Sequence, residues 1–442
     1  MRLCLLEDRG VVGLEPLTLT RPVYELRLGQ ETLGAKIAAA LGVGLGPARR
    51  GAWIRPQLVA WQRERDPHTV LNDPDWLARG PLVAALGRWV PPADFVRPDA
   101  AVPWVGLCAG RPACAGVDPT DATALARANL DDWFAELIRR PDCDAIEVGG
   151  LWIDHPWDLV AANNDQIVAD FTRAGRISIS NRQLSTVAVV GPTDRLAIHE
   201  SARLDPYVVL DTTNGPITIA ADVWVQPFTR IEGPAYIGPS TQLFRANLRG
   251  GVSIGPHCRI GGEVEATIIQ GFTNKYHEGF LGHAYVGEWV NLGAITSNSD
   301  LRNDYGQVSV PLHGDPIPTG QAKVGCFLGD HTRTGLGSML NTGTSIGVMC
   351  NVLPAGPLLP KHVPSFSAVL YGRVAPGFPL DQMFATARIV KSRRGQVFTA
   401  VEEQFFRDLY EKTHLERQRA FQKHPHRDRR IDPTWPLAVG GL

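Results

Sequence analysis

An amide, an amine and an imidazole fall within four residues at Asn274, Lys275 and His277, in the run NKYHEGFLGHAYVGEWVNLGAITSNSD (274–300). Two more amides, Asn291 and Asn298, follow in the same run. An imidazole ordinarily titrates near pH 6.5, which makes it the natural general base at neutral pH. A carboxylate such as Glu278 can orient its ring. The plain alternative is that a lone histidine in a repetitive β architecture sits at the surface or a corner, and His283 suits that description.

A second group lies near the start. EDRGVVGLEPLTLTRP (7–22) offers two loop glycines, Gly10 and Gly13, after two acids, and the cations Arg21 and Arg27 follow. Arg21 is also spaced to pair with Glu25 at i,i+4. Asp73 lies in VLNDPDW, where Asn-Asp-Pro reads equally as a turn. In PWDLVAANND (156–165), Asp158 can cap a helix that also carries Asn164.

These groups must be positioned by 442 residues of near-neutral balance, Lys+Arg 44 against Asp+Glu 45. No bulk field draws such a chain to nucleic acid or an acidic membrane. With 44% hydrophobic residues, packed cores are expected. Glycine and proline together make up about 18% of the chain, which disfavours an all-helical fold. Seven cysteines without a C-x-x-C argue against a disulfide scaffold or zinc module. MRLCLLEDRG reaches charge after four apolar residues, so no secretory segment is expected. The uncharged stretch 334–360 is too rich in Thr, Ser, Asn, Gly and Pro for a membrane span. The expectation is a cytoplasmic protein.

Residues 1–195 alternate short apolar runs such as LCLL (3–6) with helical stretches at 31–41, 121–140 and 157–174, an α/β layer pattern. None of the seven lysines lies between Lys36 and Lys275. From about 199, helical periodicity stops and an aliphatic residue returns every six positions: Ile219, Val225, Ile231, Ile237, Leu243. Phe280, Val286 and Leu292 continue the pattern, then Leu328, Leu340, Ile346, Val352 and Leu358, with Thr334 filling one step. A period of six marks a parallel β-helix whose aliphatic residues point into the shaft. Glycine often follows the aliphatic position, where it is expected to turn the corner at positive φ. Residues 296–323 interrupt the coils, and a long excursion of this kind is usually functional. Helical character resumes over 380–424, with 401–421 as one amphipathic helix and a mobile charged tail after it.

The hexads, with 274–306 and PLTLTRPVYELRLGQETL (16–33), resemble the bifunctional N-acetylglucosamine-1-phosphate uridylyltransferase/glucosamine-1-phosphate N-acetyltransferase family. They resemble more closely a bacterial group of sugar nucleotidyltransferases with the same two-domain plan. The resemblance implies an α/β nucleotidyltransferase-like domain over 1–195, a left-handed parallel β-helix acyltransferase domain over 196–375 and a helical extension over 376–442. It implies a homotrimer with acyl-transfer sites between shafts, acting on an amino sugar phosphate, a nucleotide and acyl-CoA, with no nucleic acid or membrane partner.

By that resemblance His277 is the catalytic base, while Asn274, Lys275, Asn291 and Asn298 bind the acceptor sugar. Phe280 replaces the family's tyrosine, so that either the acceptor sugar differs from glucosamine 1-phosphate or another group supplies the contact, and Ile295 replaces a glycine. Acetyl-CoA or another acyl-CoA is the expected co-substrate, with Lys361 and Arg373 at its phosphates. In the N-terminal domain Gly10, Arg21 and Arg27 are expected at the nucleotide phosphates, with Asp73, Asp158 and Asn164 at a Mg²⁺ ion. The family's G-x-G-T/S-R-M loop and phosphate-binding lysine are missing. That domain therefore either activates the acylated sugar or has lost the ability. The alternative from another class is a nucleotide- or sugar-binding module on a non-catalytic trimeric β-helix. A third reading is a metal-dependent hydratase using His277, His283 and His331 across subunits.

Overall fold

The computed structural model describes residues 1–44, 49–98, 102–127, 129–174, 185–354 and 358–423. The tail expected to be mobile lies beyond them. The N-terminal sheet comprises β1 (Leu3–Leu6), β2 (Arg50–Trp53), β3 (Val70–Leu71), β4 (Leu82–Leu86), β5 (Trp104–Cys108), β6 (Arg111–Val117) and β7 (Asp144–Glu147). Their order is β7-β5-β6-β4-β1-β2-β3. Only β6 runs against its neighbours. The all-apolar β1 and β4 are buried on both faces, as central strands of a covered sheet must be. Chain order reverses at β1, which lies between β2 and β4. The crevice outside the carboxyl ends of β1 and β4 is where sheets of this kind take ligands.

The hexads close into a three-sided shaft. One face stacks Ile219, Ile237, Ile254, Ile269, Val286, Leu328, Ile346 and Val363 in parallel register. These residues form one continuous apolar core with the columns of the other two faces. Among the described residues the first coil strand is Ala188–Val190. Leu358, expected in the column, is exposed, and Leu359 takes the buried place.

The corner chemistry differs from expectation. Gly238, Gly255, Gly287, Gly329 and Gly347 do not carry the positive φ. It falls two residues later, on Ser240 (58°), His257 (57°), Trp289 (61°), His331 (59°) and Met349 (53°). The glycines serve close approach between coils instead: a Cβ on Gly255 would lie 2.0 Å from the Gln270 carbonyl oxygen. Because corner residues line up from coil to coil, large ones stack. His257–Phe272, Phe272–Trp289 and Trp289–His331 have ring centroids 4.9, 4.3 and 6.2 Å apart.

Two expected helices are each divided. The stretch 121–140 is shared between Pro119–Ala124 and Leu130–Arg139, the second capped by Asn129. The stretch 401–421 is shared between Ala400–Lys412 and His414–Lys423, broken at Thr413. The helix Leu380–Ser392 precedes them. The two halves are joined by buried charge. Arg21 donates to Asp330 at 2.5 Å and reaches Glu288 at 3.3 Å, and Arg65 clamps Glu288 with two bonds of 3.1 Å. Among the described residues no helix is long and apolar enough to cross a membrane.

Candidate functional site

The second face of the shaft carries Leu243, Ile260 and then Lys275 in one column. An ammonium thus occupies an aliphatic position, and the chain accommodates it locally. Lys275 is buried and donates to the carbonyl oxygens of Gly261 (2.7 Å) and His277 (3.1 Å). Gly262, at φ +68°, leaves room for it, since a Cβ there would lie 2.8 Å from Nζ. Burial pulls Lys275 down to about 8, with Glu278 and Glu263 opposing. Residues 276–279 bulge outward between Asn274–Lys275 and Phe280–Gly282, both of which pair with the preceding coil.

His277 stands on this bulge, exposed, edge-on to Tyr276 with ring centroids 4.9 Å apart. It lines a cavity of about 500 Å³ together with Tyr276, Asn274, Asn291, Arg259 and Arg394. Asn274 Nδ2 donates to Asn291 Oδ1 at 3.3 Å, so the two amides form one polar edge. Among the described residues the His277 ring makes no hydrogen bond, and Glu278 does not orient it.

Of the acceptor residues read from sequence, the structure brings His277, Asn274 and Asn291 to one cavity. Lys275 points into the shaft, away from any acceptor phosphate. Asn298 is also turned inward: it is buried, accepts from Gly282 N at 2.9 Å and donates to Gly282 O at 2.9 Å. Sequence reasoning missed Arg259, Arg393 and Arg394, which line the cavity. The only available signal was the Arg-Arg pair closing the 380–392 helix.

The expected coenzyme A cations do not meet. Lys361 lines a separate cavity of about 340 Å³ with Arg419 and Lys423, and Arg373 is not part of its lining.

The N-terminal expectations need correction. Gly10 lies under the Arg88 side chain, where a Cβ would sit 2.3 Å from Nη2. Arg88 donates to Asp8 at 2.7 and 2.6 Å and also bonds Asp154. Arg111 donates to Asp154, and with Arg88 it holds that carboxyl at about 2. Glu7 accepts from Val23 N at 2.8 Å and pairs with Arg55 at 3.1 Å. The residues that follow β1 and β4 are therefore tied together by the protein's own ion pairs. Arg21 pairs with Asp330, not Glu25 or a phosphate. Arg27 packs where the two halves meet: its backbone N–H donates to Tyr285 OH at 2.8 Å, and its guanidinium donates to the Gln30 carbonyl oxygen at 2.7 Å and lies over Tyr236.

The residues expected at Mg²⁺ do not fit that ion. Asp73 accepts from Asp75 N and Trp76 N as a helix cap. Asp158 accepts from Asp154 N and His155 N. Asn164 packs on Gly251 of the shaft, and its neighbour Asn163 is the buried link, accepting from Gly29 N and donating to Gly251 O. Among the described residues no group of three or more His, Cys, Asp or Glu side chains could hold a metal ion. Within one chain the hydratase triad does not assemble either. His283 pairs with Asp300 at 2.8 Å, and His331 is buried against Trp289 and Phe406, where burial pushes its pKa well down.

Residues 3–177 match the family model described as sugar nucleotidyl transferase. The bifunctional sugar-1-phosphate nucleotidylyltransferase/acetyltransferase of Sulfurisphaera tokodaii is 32% identical over 123 residues, 28% of this chain and 28% of that protein. Bifunctional protein GlmU of Methanocaldococcus jannaschii is 27% identical over 239 residues, 53% of this chain and 51% of that protein. The chain thus spans between about a quarter and about half the length of these curated relatives. Among solved structures it is similar to Arabidopsis UDP-N-acetylglucosamine acyltransferase, at 12% identity and TM-score 0.24, over 56% of this chain and 98% of that one.

Proposed function

We propose that this chain is a two-part transferase of sugar-nucleotide metabolism. Its β-helix moves an acyl group from acyl-CoA to the amine of an amino sugar phosphate. Its N-terminal domain is assigned nucleotidyl transfer to a sugar 1-phosphate, in line with the family match. The observation that carries the reading is His277 on the rim of a cavity edged by the Asn274–Asn291 amides and walled by arginines, without a carboxylate.

In this reading the acceptor ammonium loses one proton to solvent, and the free amine attacks the thioester carbonyl carbon as His277 takes a second proton from its nitrogen. The new C–N bond forms as the C–S bond breaks, and the imidazolium returns the proton to the leaving sulfur. Asn274 and Asn291 orient the sugar, which places the amine for in-line attack. Acetyl-CoA is the proposed donor, with Lys361, beside Arg419 and Lys423, as the candidate for its phosphates. Tyr276, Leu336 and Ile295 are exposed apolar residues beside the cavity or on the adjoining turn, and they support a homotrimer whose neighbouring shaft covers it. A cytoplasmic location accords with these substrates.

For the N-terminal domain, nucleotide entry requires Arg88 to leave Gly10 and Asp8, and no metal-dependent step is assigned. The test is thiol release from acetyl-CoA by the full chain over a panel of amino-sugar phosphates. Release should occur with at least one acceptor and fall by about 10²–10⁴ in His277→Ala. Absence of release with every acceptor, or an unaffected variant, would favour a binding module on a non-catalytic scaffold.

A further inference from the structure

Three guanidinium groups line the larger cavity, and no acid does. Arg259 stands one coil before Asn274 on the same face. Arg393 and Arg394 arrive from the other end of the chain, directly after the helix Leu380–Ser392. Among the described residues none of the three forms a salt bridge. Arg259 donates only to the carbonyl oxygens of Ser240 (3.2 Å) and Cys258 (2.9 Å). Arg394 donates to Asn274 Oδ1 at 3.0 Å, and its Nε is buried without a partner. A contiguous cavity of about 240 Å³ shares Asn274, Asn291, Arg393 and Arg394 and adds Arg333.

Concentrated like charge without a counter-charge is unfavourable unless a ligand supplies one. The strain is visible in the cations themselves. Burial and then Arg394 push Arg259 down, while burial and then Arg393 push Arg394 down. Planar guanidinium forks match a phosphate monoester, which accepts several charge-assisted hydrogen bonds at once.

We infer that Arg259, Arg393 and Arg394 form a phosphate subsite, and that the helix Leu380–Ser392 sets acceptor choice by delivering Arg394 to the edge of the Asn274–Asn291 pair. The acceptor is thereby restricted to sugars bearing a phosphate monoester. Its identity as acceptor rests on the acyl-transfer reading; the binding of phosphate does not.

The test is calorimetric titration of the full chain with glucosamine 1-phosphate, glucosamine, coenzyme A and dephospho-coenzyme A. Glucosamine 1-phosphate should bind at least about tenfold more tightly than glucosamine. That gap should collapse in Arg394→Gln and in Arg259→Gln, be partly kept in Arg394→Lys, and persist in His277→Ala. A gap that survives both glutamine variants overturns the subsite. If coenzyme A, but neither dephospho-coenzyme A nor glucosamine 1-phosphate, loses affinity in Arg394→Gln, the phosphate belongs to the donor and the acceptor assignment falls. Should no acceptor support thiol release while the gap still collapses, the acyl-transfer reading fails and the subsite stands. Arg393→Gln, at an exposed position, provides the same readout if another variant does not fold.

Discussion

Lys275 donates to the carbonyl oxygen of His277 at 3.1 Å from inside the shaft, from a position where the preceding coils place Ile260 and Leu243. A buried ammonium therefore anchors the bulge that carries the candidate base. Its pKa falls from 10.5 to about 8, chiefly through burial. Between those two values the unfolded chain still holds a proton that the folded chain has released, so stability rises with pH across that window. The gain is on the order of 3 kcal/mol. Chemical denaturation at pH 7.5 and 10.5 should show this rise in the native protein and lose it in Lys275→Met. An equal rise in both would place the ammonium in solvent.

Arg21 is the converse case, a cation whose partners are acids of the other half. Removing it leaves Asp330 buried without its counter-charge and Glu288 with Arg65 alone. Breaking a buried pair from one side costs about 3–5 kcal/mol. Arg21→Met should therefore lower unfolding free energy by that amount, and adding Asp330→Asn should recover part of it. A loss under about 1 kcal/mol would show that the two halves do not depend on this junction.

Acid should open the same junction. Burial would raise Glu288, but Arg65 and Arg21 outweigh it and hold the carboxyl at about 2, below its ordinary 4.5. A depressed carboxylate contributes its stability above pH 4.5 and loses it as pH falls toward 2. Glu288→Gln should be less stable at neutral pH and should have a flatter denaturation profile between pH 4.5 and 2. Parallel profiles for the two proteins would contradict this.

The β-helix was legible because one short-range rule, an aliphatic residue every six positions, determines it; Ile219, Ile237 and Val286 needed no partner to be recognised. The rule failed where the chain slips by one residue, as at Leu358 and Leu359. It also could not tell an aliphatic position from one filled by Lys275 or Asn298, because both satisfy their polar ends on backbone inside the coil. His277, Asn274 and Asn291 were found because they share one segment. Arg394 meets Asn274 across 120 positions and Arg21 meets Asp330 across 309, and contacts that distant leave no mark in local spacing. The Mg²⁺ expectation failed for a related reason: Asp73 and Asp158 have the spacing of caps, and capping is what they do.

Thiol chemistry offers an independent check on the cores. Burial pushes Cys4, Cys114, Cys258, Cys326 and Cys350 up to about 12, so none forms thiolate near neutral pH. All seven cysteines are free, and Cys143 alone is not fully buried. An aromatic disulfide reagent at pH 8 should titrate about one thiol in the native protein and seven in guanidinium. Rapid reaction of three or more native thiols would show that the shaft or the sheet opens.

The corner geometry yields the sharpest contrast between two small residues. Gly255 has an ordinary φ but faces the Gln270 carbonyl, so a methyl group there would overlap backbone that cannot move without shifting the next coil. Ser240 carries φ 58° at a corner with its side chain half exposed, so losing its Cβ relieves backbone strain at the cost of unfolded-chain entropy. Gly255→Ala should therefore destabilise the β-helix by about 1–3 kcal/mol or more, as overpacking does, while Ser240→Gly should change stability by less than about 1 kcal/mol. Thermal unfolding of the two variants beside the native protein decides the matter. If Gly255→Ala proved harmless, the close packing of successive coils would not be what selects glycine there; if Ser240→Gly proved costly, the serine side chain and not backbone strain would govern that corner.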